Sequence, residues 1–193
     1  EGGKALAEVL FGKVNPSGRL PESFPFSHMD CPAHCIGEFP GGKTVAYREG
    51  IFVGYRYYET RQMPVAFPFG YGLSYTEFTY ERLKARVKGN GNGAKVQVTL
   101  GVVNTGAMKG KEVVQLYVGR KNSGEDRPIR ELKAFDKISL KPGEIKNLEF
   151  MLDMEAFSYY DEKEKEFRVE KGAYIISVCR SAHEVWMETE VEL

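Results

Sequence analysis

From about Ser74 onward the chain is written in short alternating segments separated by turn signals, and this texture limits the fold more than any other feature. KVQVTLGV places Val96, Val98, Leu100 and Val102 on one side and Lys95, Gln97 and Thr99 on the other. Asn104-Thr105-Gly106 reads as a turn. KEVVQLYVG follows with Val114, Leu116 and Val118 aligned, then ELKAFDKISL and a Lys141-Pro142-Gly143 turn. IKNLEFML aligns Leu148, Phe150 and Leu152, and AYIISVC aligns Tyr174, Ile176 and Val178 before EVWMETEVEL closes the chain. A period of two is the signature of a strand with one buried face.

About seven such strands over roughly 115 residues predict an antiparallel β-sandwich of the immunoglobulin or fibronectin type III kind. The first third has a different texture. GKALAEVLF predicts a short helix over 3–11, with Ala5, Leu6, Val9 and Leu10 on one face and Gly12 at its end. In KVNPSGRLPESFP, Pro16, Gly18, Pro21 and Pro25 forbid a continuing helix and leave an extended, turning segment with Leu20 and Phe24 as anchors. Residues 26–46 read as an irregular loop. IFVGYRYY, rich in β-branched and aromatic residues, predicts a strand over 51–58, and 60–72 read as a second loop. One helix and one strand are too little regular structure for a self-sufficient domain. The division therefore falls into residues 1–73 and 74–193. The apolar side chains of the first part need a partner outside this sequence, and residue 1 is expected to lie inside a longer polypeptide.

Composition excludes several classes. Lys+Arg and Asp+Glu both number 27, so the formal net charge is zero and no basic face for nucleic acid is indicated. No apolar run approaches the ~18–20 residues that span a bilayer, and EGGKALAEVLFGK lacks the parts of a signal peptide. Three cysteines, Cys31, Cys35 and Cys179, are too few for a disulfide scaffold and slightly favour a cytoplasmic setting. Cys179 reads as a small core hydrophobe.

Chemistry-bearing patterns are sparse. His28, Cys31, His34 and Cys35 fall within HMDCPAHC, but structural zinc pairs two ligands with a distant second pair, and four so close would be cramped. A surface loop is the reading taken, and neither metal nor cofactor is expected. Glu125-Asp126 and Asp161-Glu162 are adjacent carboxylates that suit solvated turns, and DEKEKEFRVE reads as a charged hairpin. Glu49 enters the aromatic run after Tyr47-Arg48 and is the one candidate for a cleft or substrate-pocket role. No nucleophilic-serine, phosphate-loop or HExxH motif appears.

The runs ALAEVLFGKVNPSGRLPESFP, EGIFVGYRYY and FPFGYGLSYTEF, then NTG, GKEVVQLYV, RPIRELKAFDKISLKPGE and FSYYDE, resemble in order the C-terminal region of glycoside hydrolase family 3, bacterial and yeast β-glucosidases above all. The resemblance covers nearly the whole chain. It implies that residues 1–73 end an α/β sandwich domain and that a fibronectin type III-like domain follows. It also implies retaining hydrolysis of terminal β-linked glucose by two carboxylates about 5–5.5 Å apart. No position here matches the family's nucleophile or acid/base motif, so no catalytic residue is assigned and the chain alone is expected to be inactive. The expected partners are the barrel and upstream α/β domain of the same enzyme and, through them, a β-glucoside substrate. The aromatic residues Tyr55, Tyr57, Tyr58, Phe67, Phe69, Tyr71 and Tyr75 are then expected to pack in the seam between the domains rather than to form a sugar-stacking platform. An autonomous carbohydrate-binding module, or a homodimerisation element, is the alternative.

Overall fold

The computed structural model describes residues 1–37, 39–91 and 93–193. Its centre is two antiparallel sheets packed face to face. β5 (Gly110–Arg120), β6 (Glu131–Leu140), β10 (Ala173–Cys179) and β11 (Val185–Glu192) form a four-stranded sheet in the order β11-β10-β5-β6. β3 (Phe78–Lys88), β4 (Lys95–Asn104) and β7 (Ile145–Asp153) form a three-stranded sheet in the order β3-β4-β7. The sandwich expected from the alternation is thus present, with seven strands in its two sheets. A separate hairpin, β8 (Ser158–Asp161) with β9 (Glu166–Val169), carries the charged DEKEKEFRVE run.

The alternation explains the core. Val96, Val98, Leu100 and Val102 face Val114, Leu116 and Val118, with Ile138, Leu140, Ile176 and Val178 closing the layer. Fully burying one such side chain contributes about 1.5–3 kcal/mol, so the sheets are held chiefly by this layer. Phe157 and Tyr174 meet edge to face at 5.3 Å in the same cluster.

The first part of the chain is built differently. α1 (Gly2–Leu10) stops at Phe11, and Gly12 follows at a φ of 71°. None of its residues is buried, and its apolar residues Leu6 and Leu10 are 60% and 68% exposed. Phe11, Phe26 and Tyr47 are also largely exposed. A two-residue β1 (Phe24–Pro25) pairs with β2 (Val65–Phe67), a short strand inside the segment that reads as a loop from sequence. α2 (Pro32–Cys35) is a single turn inside the irregular stretch.

The strand expected over 51–58 is not formed. Gly54 takes a φ of 59°, which breaks the extended run, and Tyr55–Thr60 continues as α3. Ring-rich composition favours strands only where alternate residues can share a buried face. Here the side chains that matter recur at Tyr55, Tyr58 and Glu59, a helical spacing of three and four.

Candidate functional site

The segment Gly18–Leu20 is extended because of its flanking prolines, and two backbone hydrogen bonds fix its direction. Leu20 N–H donates to Tyr71 O at 2.8 Å, and Gly70 N–H donates to Leu20 O at 2.8 Å. Gly72 lets the two strands of this connector touch, since a Cβ there would meet Gly18 O at 2.3 Å. The result aims Arg19 into the sandwich. Its Nη2 donates to Glu112 Oε2 at 2.9 Å, and Tyr80 OH donates to Glu112 Oε1 at 2.8 Å. Glu112 is fully buried, next to Val114 in the inward-facing row of β5. Burial, then the Glu112 charge, pushes the Tyr80 phenol well above its ordinary range. An unpaired carboxylate at this depth costs several kcal/mol, so the sandwich depends on a guanidinium supplied by the first part of the chain.

A second contact lies on the outer face of the four-stranded sheet. Tyr55 stacks on Phe69 with centroids 5.0 Å apart and meets Tyr117 edge-on at 5.7 Å. With Cys179, Ala182, Leu132 and Val185 these rings make a small apolar cluster. Its polar atoms are matched in turn. Leu132 N–H donates to Tyr55 OH at 2.9 Å, and Tyr117 OH donates to Gln115 Oε1 at 2.8 Å. Gln115 Nε2 donates to Arg180 O at 2.7 Å and Gly70 O at 3.3 Å, while Ala182 N–H donates to Phe69 O at 2.8 Å. Burial raises the Tyr55 and Tyr117 phenols and pushes the Cys179 thiol up to about 12. Aromatic pairs of this geometry add about 0.5–1.5 kcal/mol each beyond the area they cover.

Polar contacts ring this cluster. Arg130 pairs with the nearly buried Glu59 at 3.0 Å, Arg56 pairs with Glu131 at 3.2 Å, and Ile129 N–H donates to Thr60 Oγ1 at 3.0 Å. Lys137 Nζ donates to Ser17 O at 2.8 Å. Asn15 Oδ1 accepts from Tyr75 N–H and Ser74 Oγ, and its Nδ2 donates to Lys109 O.

The seven rings expected at a seam separate into groups. Tyr55 and Phe69 lie against Tyr117 of β5. Phe67 packs with Phe24 and Tyr71 inside the connector. Tyr75 donates its hydroxyl to Val9 O of α1. Tyr57 and Tyr58 meet edge-on at 5.6 Å; Tyr58 is buried, and burial, followed by hydrogen bonding to Cys31, raises its phenol. Glu49 Oε2 is buried with no hydrogen-bond partner among the described residues, while Phe52 N–H donates to the Glu49 carbonyl. His28 and His34 meet edge-on at 5.2 Å, and Cys35 Sγ donates to Met29 O. Among the described residues, no three His, Cys, Asp or Glu side chains are grouped as metal ligands.

Arg19, Glu112, Gln115 and Glu59 do not stand out in the sequence as site residues. Glu112 carried a usable signal, because it shares the parity of Val114, Leu116 and Val118 and so had to point inward. Nothing local marks Arg19 as its partner, ninety-three positions away.

Comparison with known proteins supplies a context for this geometry. Residues 1–75 match the glycosyl hydrolase family 3 C-terminal domain, and residues 112–182 match the fibronectin type III-like domain. The chain is 45% identical over 192 residues to thermostable beta-glucosidase B of Acetivibrio thermocellus, covering 99% of itself and 25% of that protein. It is 44% identical over 185 residues to a beta-glucosidase of Kluyveromyces marxianus, covering 95% of itself and 21% of that protein. Among solved structures, a GH3 beta-glucosidase of Bifidobacterium adolescentis superposes with a TM-score of 0.91 at 41% identity, over 100% of this chain and 28% of that one. The chain thus spans about a quarter of the length of such relatives.

Proposed function

We infer that this chain, which belongs to the C-terminal region of glycoside hydrolase family 3, is the supporting and domain-packing part of a larger β-glucosidase-like enzyme. In that reading residues 1–73 end the α/β sandwich domain and carry the aromatic connector, and residues 74–193 are the fibronectin type III-like domain. The reaction is retaining hydrolysis of terminal β-D-glucosyl residues, by a nucleophile and an acid/base about 5–5.5 Å apart that lie outside this chain.

The observation that carries the reading is the contrast between the tied and the uncovered side chains of the first part. Its inner side is tied to the sandwich by Arg19, Tyr55 and Phe69. Elsewhere in it Leu6, Leu10, Phe11, Phe26, Tyr47 and Val53 stand in solvent. Such a run of exposed apolar side chains marks a surface that another protein body covers. Two of the buried carboxylates also have structural employment. Glu112 is held by Arg19 and Tyr80, and Glu59 by Arg130.

The test is an aryl β-glucoside assay on this chain alone and on a polypeptide that also carries the remaining three quarters. Turnover by the longer polypeptide and none by the chain alone supports the reading. Turnover by the chain alone sinks it.

A further inference from the structure

The charges that read as mixed along the sequence are sorted by the pleat. β11 turns Glu188, Glu190 and Glu192 outward on the four-stranded sheet. β3 turns Lys84, Arg86 and Lys88 outward on the three-stranded sheet, while Leu83 and Ala85 pack on the core. Same-face residues of a strand are about 7 Å apart, so these three cations form a ladder along the strand. Lys95 extends it, since it sits across from Lys88 in the register. None of these four cations pairs with a carboxylate among the described residues.

Beside the ladder the sheet surface is hollow. A trough of about 320 Å³ runs over Gly101, walled by Arg82, Lys84, Thr99, Asn147 and Glu149. At Gly101 the Glu81 and Arg82 side chains close over the backbone, since a Cβ there would lie 3.0 Å from Arg82 Nη2 and from Glu81 Oε1. The register shift between Glu81 and Lys84 puts Arg82 at a φ of 58°, and its guanidinium reaches Asn147 Oδ1 at 3.4 Å across the trough. A non-glycine residue held in the left-handed region at a bulge is a costly feature that often accompanies a re-aimed side chain. Neutral hydrogen-bonding groups line the central strand: Gln97 lies opposite Arg86, and Thr99 opposite Lys84. The carboxylates on this face are Glu81, already paired with Arg82, and Glu149 and Asp153 on the far strand.

The first part of the chain leaves this face uncovered. The hydrogen bonds from the first part of the chain land on β5, β6 and the segments around them, and its rings cover the outer face of the four-stranded sheet. The three-stranded sheet presents its outer face on the opposite side of the core.

We propose that the outer face of β3-β4-β7 binds an acidic polysaccharide, a chain carrying uronate-type carboxylates among hydroxyls. The carboxylates lie along Lys84, Arg86, Lys88 and Lys95, and the hydroxyls are taken by Gln97, Thr99 and Asn147. Glu149 and Asp153 fence the far side. That fence repels a densely charged sheet or duplex, so a sparsely charged single chain fits better than a lipid surface or nucleic acid. The attraction acts between exposed charges, so salt weakens it.

The experiment is affinity electrophoresis of the full chain in gels containing polygalacturonate, with a neutral β-glucan as comparator. The expected result is retardation by polygalacturonate at low salt, none by the neutral glucan, and release in 1 M salt, where the screening length is about 3 Å. The K84E/R86E/K88E variant should bind at least about tenfold more weakly, with K84Q/R86Q/K88Q between it and the parent. Both variants change exposed side chains only, and a thermal melt matching the parent verifies the fold. Three results overturn the proposal: no retardation at low salt, undiminished binding by both variants, or binding to duplex DNA or anionic phospholipid vesicles as tight as to polygalacturonate. The readout is retention rather than glucoside turnover, so this proposal and the enzyme reading can fail separately.

Discussion

Arg19 Nη2 lies 2.9 Å from Glu112 Oε2, and the pair joins the turning segment at the start of the chain to the interior of the sandwich. Both side chains are almost wholly removed from water. Breaking a buried pair from one side leaves a charge without compensation, which costs about 3–5 kcal/mol. Arg19→Ala should therefore lower the unfolding free energy of the full chain by that amount, measured by urea denaturation. The double change R19M/E112L removes both charges and should recover part of the loss, because a buried ion pair contributes little net over an apolar pair of similar volume, the rest being the Tyr80 hydroxyl left without its acceptor. A double variant as unstable as R19A shows that the pair does more than neutralise a trapped carboxylate.

Tyr55 offers a finer test of the same seam. Its hydroxyl accepts the Leu132 amide at 2.9 Å while its ring stacks on Phe69. Tyr55→Phe keeps the ring and strands the amide, at a cost of about 1–3 kcal/mol. The Leu132 amide should then exchange with deuterium faster than in the parent, while amides of β4 stay protected. Unchanged exchange at Leu132 means that water already serves that amide.

The sequence made the sandwich legible because a period of two leaves little choice about which side chains go inside. Val96 to Val102 and Val114 to Val118 are buried as their spacing requires. The segment 51–58 reads as a strand because its rings suit one, and its break depends on one residue, Gly54, whose positive φ interrupts the extended backbone. Tyr55 and Phe69 are expected from sequence at a domain seam; in the structure they are half-buried against Tyr117, a partner that the sequence does not name. Arg19 and Glu112 meet only after the connector has folded back along Leu20 and Gly70. No local pattern encodes a contact between residues that far apart.

Gly70 tests how closely the connector is fitted. Its φ is 81°, and a Cβ there would lie 2.3 Å from Gln115 Oε1. Gly70→Ala meets both a disfavoured backbone and a clash with a side chain that is itself held by Arg180 O and Tyr117 OH. A loss of about 2 kcal/mol or more is expected from chemical denaturation. Gly3→Ala is the control, since it lies in α1 with open space around its Cβ position. That change should raise stability by up to about 1 kcal/mol through helix propensity alone. Equal effects at the two glycines count against the fit.

Cys179 gives the pH dependence. Burial pushes its thiol from an ordinary 9.0 up to about 12. The folded state therefore favours the protonated, neutral thiol. A group whose pKa rises on folding contributes stability in full below its unfolded value, and that contribution fades as pH climbs through the window up to the folded value. Burial raises the Tyr80 and Tyr117 phenols as well, so they act with the same sign on the alkaline side. Stability measured by urea unfolding should be flat from neutral pH to about 9 and then fall steadily. Cys179→Ala should flatten the first part of that fall. At pH 8 a thiol reagent should modify Cys35, which is exposed, and leave Cys179 untouched until the chain is unfolded. Reaction of Cys179 in the native protein at the rate of Cys35 means that the cluster of Tyr55, Phe69 and Tyr117 opens readily, and that the connector is a hinge rather than a fixed seam.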